Sequence, residues 1–311
     1  MAAQTRIVKA NGLDMQIVEE GEGPLVLLCH GWPELSYSWR HQIPAIAAEG
    51  YRVVAPDMRG YGGTSAPKDI GAYSIFHLVG DVVALVEALG EKQAIMIGHD
   101  WGAQVAWSAA MFRPDVFPAV AALSVPLRNR GPAAPLDILK QQGVSTFYWQ
   151  YFQKPGVVEE EMARDWSHTL RAIYYGTGLG LMLKPGRGMV EDAKIPEKTP
   201  GWISEAEIQH YIETFSRTGI AGGINWYRNI DRNWELSAPW QDAKITQPSL
   251  FIAGAKDPVI TGLIGAKALE QMDAFLPGLR GKAIIEGAGH WIQQEKPAEV
   301  NRALIDFIKG L

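Results

Sequence analysis

Cysteine is almost missing from this chain: 311 residues hold one, Cys29. That excludes an internal disulfide and a cysteine-built metal site. Cys29 ends an apolar run and reads as a buried structural thiol. Positive charge is also in short supply, with 29 Lys and Arg against 34 Asp and Glu and a net charge of −5. This balance argues against a nucleic-acid partner or an anionic membrane surface. No apolar run reaches the length of a membrane span. Met1 to Asp14 contains no apolar signal core, so a cytoplasmic protein is expected. Internal repeats and low-complexity tracts are lacking. Gly176, Gly178 and Gly180 mimic part of a dinucleotide fingerprint, but their spacing is wrong and no strand precedes them. They read as a loop or a helix end, and no cofactor or metal is expected.

What is present is bulk for a large core, with 47% hydrophobic and 20% charged residues. Ile7 to Glu19 predicts a hairpin around Asn11-Gly12. Pro24 to Cys29 and Arg52 to Pro56 read as strands covered on both faces. Leu35, Trp39 and Ile43 fall at helical spacing, with Pro44 bending or shortening that helix. Ser74 is placed to cap a helix with Leu78, Val82, Leu85 and Leu89 on one face, closed by Gly90. A strand from Ala94 to Ile97, a helix ending at Pro114 and a strand from Ala119 to Ser124 follow. Alternation resumes with buried strands at Ser249 to Ala253 and Lys282 to Ile285, and a last helix carrying Val300, Leu304, Phe307 and Ile308. Such alternation implies an α/β fold, a mostly parallel sheet with helices on both faces. Its site belongs at the carboxyl ends of the strands.

Between the two series, Pro126 to Trp240 gives helical segments and loops without a clear buried strand. It holds 6 of the 11 Trp and 6 of the 10 Tyr, which makes it an aromatic-rich insertion. We read residues 1–125 and 241–311 as the core domain and 126–240 as a helical cap that shuts water out of the site.

The chemistry centres on Gly98-His99-Asp100-Trp101-Gly102, where a strand turns at once into a helix. Small residues two before and two after the apex are the signature of a nucleophile elbow, because the backbone reverses too tightly for side chains there. The apex residue is Asp100, not Ser. Taken alone, an Asp at a helix start reads as an N-cap. As a nucleophile, an ionised carboxylate suits attack on an sp³ carbon that bears a leaving group, and it leaves a covalent ester on the enzyme. A His base is then needed to activate the water that hydrolyses the ester. Asp257 and His290 each follow a predicted strand, in the order nucleophile, acid, histidine seen in the α/β-hydrolases, and this resemblance implies that they supply the acid and the base. Asp57 also follows a strand end and rivals Asp257, although its loop through Gly62 reads more naturally as a packed turn.

Over nearly its whole length the sequence resembles the α/β-hydrolase superfamily, and within it the soluble epoxide hydrolases. The resemblance rests on His30-Gly31-Trp32-Pro33, Ser38-Trp39-Arg40, Asp57 through Gly62, His99-Asp100-Trp101-Gly102, Phe147 through Gln153, Asn225 through Asn229, and Gly289-His290-Trp291. It implies an α/β-hydrolase fold with an inserted helical cap and hydrolysis of an epoxide to a vicinal diol. Tyr148 and Tyr227 of the cap would activate the epoxide oxygen, and the backbone N–H groups of Trp32 and Trp101 would form the oxyanion hole. His30, His99, Tyr151 and Trp291 are expected around the substrate, with packing an open reading for Tyr151 and an elbow-orienting role open for His99. The partners implied are a small epoxide and water, for a monomer or homodimer. Haloalkane or haloacid dehalogenation is the alternative on the same fold, since dehalogenases carry His-Asp-Trp-Gly too. A non-enzymatic small-molecule receptor is the remote one.

Overall fold

The computed structural model describes residues 3–177 and 180–311, and at 263 and 264 the backbone alone. Gly178 lies outside the described residues; Gly176 ends a helix. Eight strands form one sheet: β1 (Gln4–Ala10), β2 (Leu13–Glu20), β3 (Leu25–Cys29), β4 (Arg52–Pro56), β5 (Ile95–His99), β6 (Ala119–Leu123), β7 (Ser249–Gly254) and β8 (Leu279–Ile285). Their spatial order is β1-β2-β4-β3-β5-β6-β7-β8. The β1–β2 hairpin is antiparallel, β2 joins β4 antiparallel, and every later pairing is parallel.

Alternating side chains of the strands feed two cores. Leu25, Leu27, Cys29 and Met96 join one, while Val26, Leu28 and Ile97 join the other. The first face is covered by α2 (Ile75–Ala88) and α3 (Trp101–Phe112), the second by α1 (Gln42–Ala47) and α14 (Pro297–Lys309). Between β6 and β7 the chain forms α4 (Pro135–Gln141), α5 (Tyr148–Phe152), α6 (Val157–Ala163), α7 (Trp166–Tyr175), α8 (Glu205–Thr218), α9 (Ala221–Arg228) and α10 (Ile230–Leu236). Short helices α11 (Pro258–Thr261), α12 (Leu263–Gln271) and α13 (Ile292–Glu295) complete the later connections.

Three local expectations are corrected. The stretch from Leu35 to Ile43 is not one helix: a 3₁₀ turn at Ser36–Trp39 precedes α1, which keeps Pro44 inside the first turn, where its missing N–H costs nothing. Ser74 stands at the N-cap of α2, but its hydroxyl meets His77 Nδ1 at 2.8 Å, and the Ile75 N–H is taken by Asn233 of α10 instead. The strand expected at Lys282 to Ile285 is not buried. It belongs to β8, an edge strand paired only with β7, and Ile284 is 40% exposed.

Register decides where the chemistry gathers. Cys29 pairs with Gly98, His99 with Leu123, Leu123 with Ile252, and Gly254 with Ile285. The carboxyl ends of five neighbouring strands therefore share one edge. The loops after them carry His30 to Glu34, Asp100, Ser124, Asp257 and His290.

Candidate active site

Asp100 adopts φ 53 and ψ −117, a conformation that side-chain-bearing residues seldom take. The neighbours that permit it are glycines. A Cβ on Gly98 would strike the backbone of Gly102, one on Gly102 would strike the Cys29 carbonyl, and one on Gly31 would strike the Asp100 side chain itself. The turn thus thrusts the carboxylate above the strand ends. Trp32, from the loop after β3, donates its N–H to Asp100 Oδ1 at 2.8 Å; the Trp32–Pro33 peptide is cis. Trp101 opens α3, so its N–H is among the amides that have no partner within the helix.

The second carboxylate oxygen, Oδ2, lies 3.5 Å from His290 Nε2. His290 Nδ1 lies 3.0 Å from Asp257 Oδ2, and the other oxygen of Asp257 accepts the Val259 N–H at 2.8 Å. Asp257 is fully buried. Burial alone would raise the carboxyl pKa of Asp257, but the His290 ring beside it outweighs that and holds the group below the usual range. Asp100 is held down likewise: burial is outweighed by His290 and by the Trp32 amide. Asp57 takes no part. Its Oδ1 accepts the Ser36 N–H at 2.9 Å, and its Oδ2 accepts the Gly63 N–H at 3.0 Å and the Gln16 side chain at 2.8 Å, which closes the turn that follows β4.

Facing Asp100 from the inserted helices are Tyr148, the first residue of α5, and Tyr227 in α9, with ring centroids 5.6 Å apart. Tyr227 also meets Trp101 and Trp32 edge to face. Burial and then the nearby Asp100 charge push the Tyr148 phenol well up. Burial, the Tyr148 ring and Asp100 do the same to Tyr227. Both are therefore protonated donors at neutral pH. Asp100, Trp101, Tyr148 and Tyr227 line one cavity of about 660 Å³. That volume suits a small organic molecule.

The four residues expected around the substrate are not among those that line this cavity, and each makes contacts within the protein. Tyr151 points away from Tyr148: its hydroxyl donates to Glu161 of α6 at 2.8 Å, and Glu161 also accepts the amides of Met189 and Val190. His30 is fully buried, with one ring nitrogen on the Gly31 carbonyl and the other on the Met58 amide. His99 is buried behind the elbow, 2.7 Å from Glu34 and 2.8 Å from the His290 carbonyl. Trp291 stacks on Tyr174 at 4.6 Å and meets the His290 ring edge to face.

One residue escaped the sequence reading. Glu34 is fully buried, accepts the Gly31 N–H and faces His99 and Gln293. His99 pulls its carboxyl down against the cost of burial, so it stays ionised. Glu34 fixes the loop that offers the Trp32 amide and, through His99, the backbone of His290. The signal was a carboxylate placed directly after Gly31-Trp32-Pro33, the one Asp or Glu between Glu22 and Glu49.

Residues 24–297 match the family model of the alpha/beta hydrolase fold. The chain is 46% identical to Epoxide hydrolase A of Mycobacterium tuberculosis, over 100% of this chain and 99% of that one. The crystal structure of Epoxide Hydrolase A from Mycobacterium thermoresistibile superposes with a TM-score of 0.94 at 45% identity, covering 100% of this chain and 99% of that chain. An epoxide hydrolase of Vigna radiata superposes with a TM-score of 0.94 at 39% identity, over 99% and 98% of the two chains. The chain belongs to the α/β-hydrolases and, within them, to the epoxide hydrolases.

Proposed function

We propose that the protein hydrolyses epoxides to vicinal diols in two covalent steps, with Asp100 as nucleophile. Family membership supplies the reaction class. One observation carries the mechanism: Asp100 has one oxygen bound by the Trp32 amide and the other free beside His290, in a cavity whose opposite wall holds two phenols. In the first step Oδ2 attacks a ring carbon. A C–O ester bond forms, the epoxide C–O bond breaks, and the leaving oxygen takes a hydrogen bond and then a proton from Tyr148 or Tyr227. In the second step His290, oriented by Asp257, takes a proton from water. The resulting hydroxide adds to the ester carbon of Asp100; the expelled ester oxygen takes the proton of the added hydroxyl to become the second alcohol, and the proton held by His290 passes through solvent to restore the phenol. Negative charge develops on Oδ1, where the Trp32 N–H already sits and the Trp101 N–H is at hand, and collapse of the adduct releases the diol.

Nucleophile, base and acids are all side chains of one chain, so the reaction needs only an epoxide and water, and a monomer or a homodimer serves equally. The helical stretch within 126–240 acts as the cap. No described helix is long and apolar enough to cross a membrane. Cys29 is a free, buried thiol, in keeping with the reducing conditions of a cytoplasmic location. A single turnover with enzyme in excess, run in water enriched in heavy oxygen, tests the two steps. The diol should emerge unlabelled, and the label should appear in the Asp100 carboxylate. A labelled diol with unlabelled Asp100 would mean that water attacks the epoxide directly.

A further inference from the structure

The phenol of Tyr227 is carried by α9, and two polar contacts tie this helix and its C-cap Asn229 to loops of the core. Trp226 donates its indole N–H to the Arg59 carbonyl at 3.1 Å, and the Asn229 side-chain amide donates to the Ile70 carbonyl at 2.7 Å. The Arg59 carbonyl lies in the irregular turn after β4, where no helix or strand holds the backbone. Side chains hold it instead. Asp57 closes the turn upon itself, whereas Arg59 reaches out of it to Asp81 of α2, Nε to Oδ2 at 2.7 Å and Nη2 to Oδ1 at 2.6 Å. Asn11, at the tip of the β1–β2 hairpin, donates to the same Oδ1 at 2.7 Å. Both charged groups are buried, Asp81 fully. Burial pushes the Asp81 carboxyl up, against the pull of Arg59 and Asn11.

A buried ion pair is a poor source of stability, because each ion gives up its water. A bidentate pair does fix direction, since both N–H groups of the fork must stay aligned with the carboxylate. The carbonyl so fixed seats a fully buried indole. The Trp226 ring packs edge to face on Tyr61 at 5.5 Å and on Trp101 at 5.9 Å, and the next residue along the helix is Tyr227. We propose that Asp81 is a positioning residue for ring opening: through Arg59 and Trp226 it sets where the Tyr227 phenol stands relative to Asp100. Asp81, Arg59 and Trp226 are not among the residues that line the cavity, so they act through Tyr227. The inference rests on the role given above to that phenol.

The two chemical steps separate positioning from general support of the fold. Ring opening uses Tyr227, whereas hydrolysis of the alkyl-enzyme uses His290 and Asp257. In single-turnover kinetics, Asp81→Asn should slow alkylation on the order of 10-fold or more and leave ester hydrolysis within about two-fold of the wild type. In a Tyr227→Phe background the same change should slow alkylation by less than about two-fold, because the group it positions is already gone. Trp226→Phe removes the indole N–H and leaves the ion pair intact. It should slow alkylation alone in the same way, and it carries the test if Asp81→Asn does not fold. Wild-type alkylation in a folded Asp81→Asn or in Trp226→Phe, equal slowing of both steps, or an undiminished further loss in the Tyr227→Phe background overturns the inference. A Tyr227→Phe enzyme that alkylates at the wild-type rate would instead remove the phenol from the reaction, and with it the reading on which the inference rests.

Discussion

At the scale of single residues, His290 has a carboxylate on each side: Asp257 Oδ2 at 3.0 Å from Nδ1 and Asp100 Oδ2 at 3.5 Å from Nε2. Burial lowers the pKa of an imidazole, but these two anions outweigh it and hold His290 well above its ordinary value. The two anions thus favour the protonated ring. In the proposed mechanism, esterification of Asp100 removes one of them, which lowers the pKa and favours the neutral base that the second step requires. Hydrolysis of the alkyl-enzyme should therefore rise with pH through a pKa lower than that of His290 in the free enzyme, as measured by stopped-flow decay against an NMR titration. Equal values in the two states would contradict the role given to Asp100. In the proposed mechanism the phenols act on the epoxide in the first step. Tyr148→Phe and Tyr227→Phe should each slow ring opening on the order of 10²-fold, and the double variant should nearly abolish it. Unchanged single-turnover rates in the double variant would remove both tyrosines from the reaction.

At the scale of elements, α9 carries Tyr227 and is held against the core by a close backbone approach. A Cβ on Gly222 would collide with the Gly60 backbone, and Gly60 sits at φ +84 in the turn after β4. Trp226 of the same helix donates its indole N–H to the Arg59 carbonyl at 3.1 Å. Gly222→Ala should push α9 outward and carry Tyr227 with it. Ring opening should fall about 10²-fold, while the thermal unfolding of the protein remains cooperative. A wild-type rate in Gly222→Ala would mean that α9 does not set the position of Tyr227. This contact also marks what sequence could and could not reveal. The elbow was legible because Gly98, Asp100 and Gly102 stand at a strand–helix junction, where each residue has a local reason. Tyr148 and Tyr151 are three residues apart on one short helix, and nothing local separates them. The separation comes from Glu161, supplied by a different helix, which captures the Tyr151 hydroxyl. Glu34 escaped for the same reason, since burial and partnership are properties of packing.

At the scale of the whole molecule, strand–helix alternation and apolar runs gave the order of the sheet's strands along the chain, but not β8 as a half-exposed edge. Whether a strand is covered depends on where it falls in the sheet, which its own composition does not encode. The inserted helices meet the core at ionic and amide contacts: Arg40 with Glu207 at 2.6 Å, and Asn233 with the Ile75 amide at 2.8 Å. These contacts join the helices that carry the two tyrosines to the core that carries Asp100, and Asp100, Tyr148 and Tyr227 line one cavity. The division of labour between Asp100, which opens the ring, and His290, which only activates water, is the central claim. The most direct measurement is the intact-protein mass of His290→Gln after incubation with an epoxide. The account predicts a gain of one substrate mass, located on the peptide that contains Asp100, with no such gain in Asp100→Ala. Unmodified His290→Gln under conditions where the wild type turns over would contradict the two-step mechanism, and an adduct formed by haloalkanes but not by epoxides would contradict the substrate.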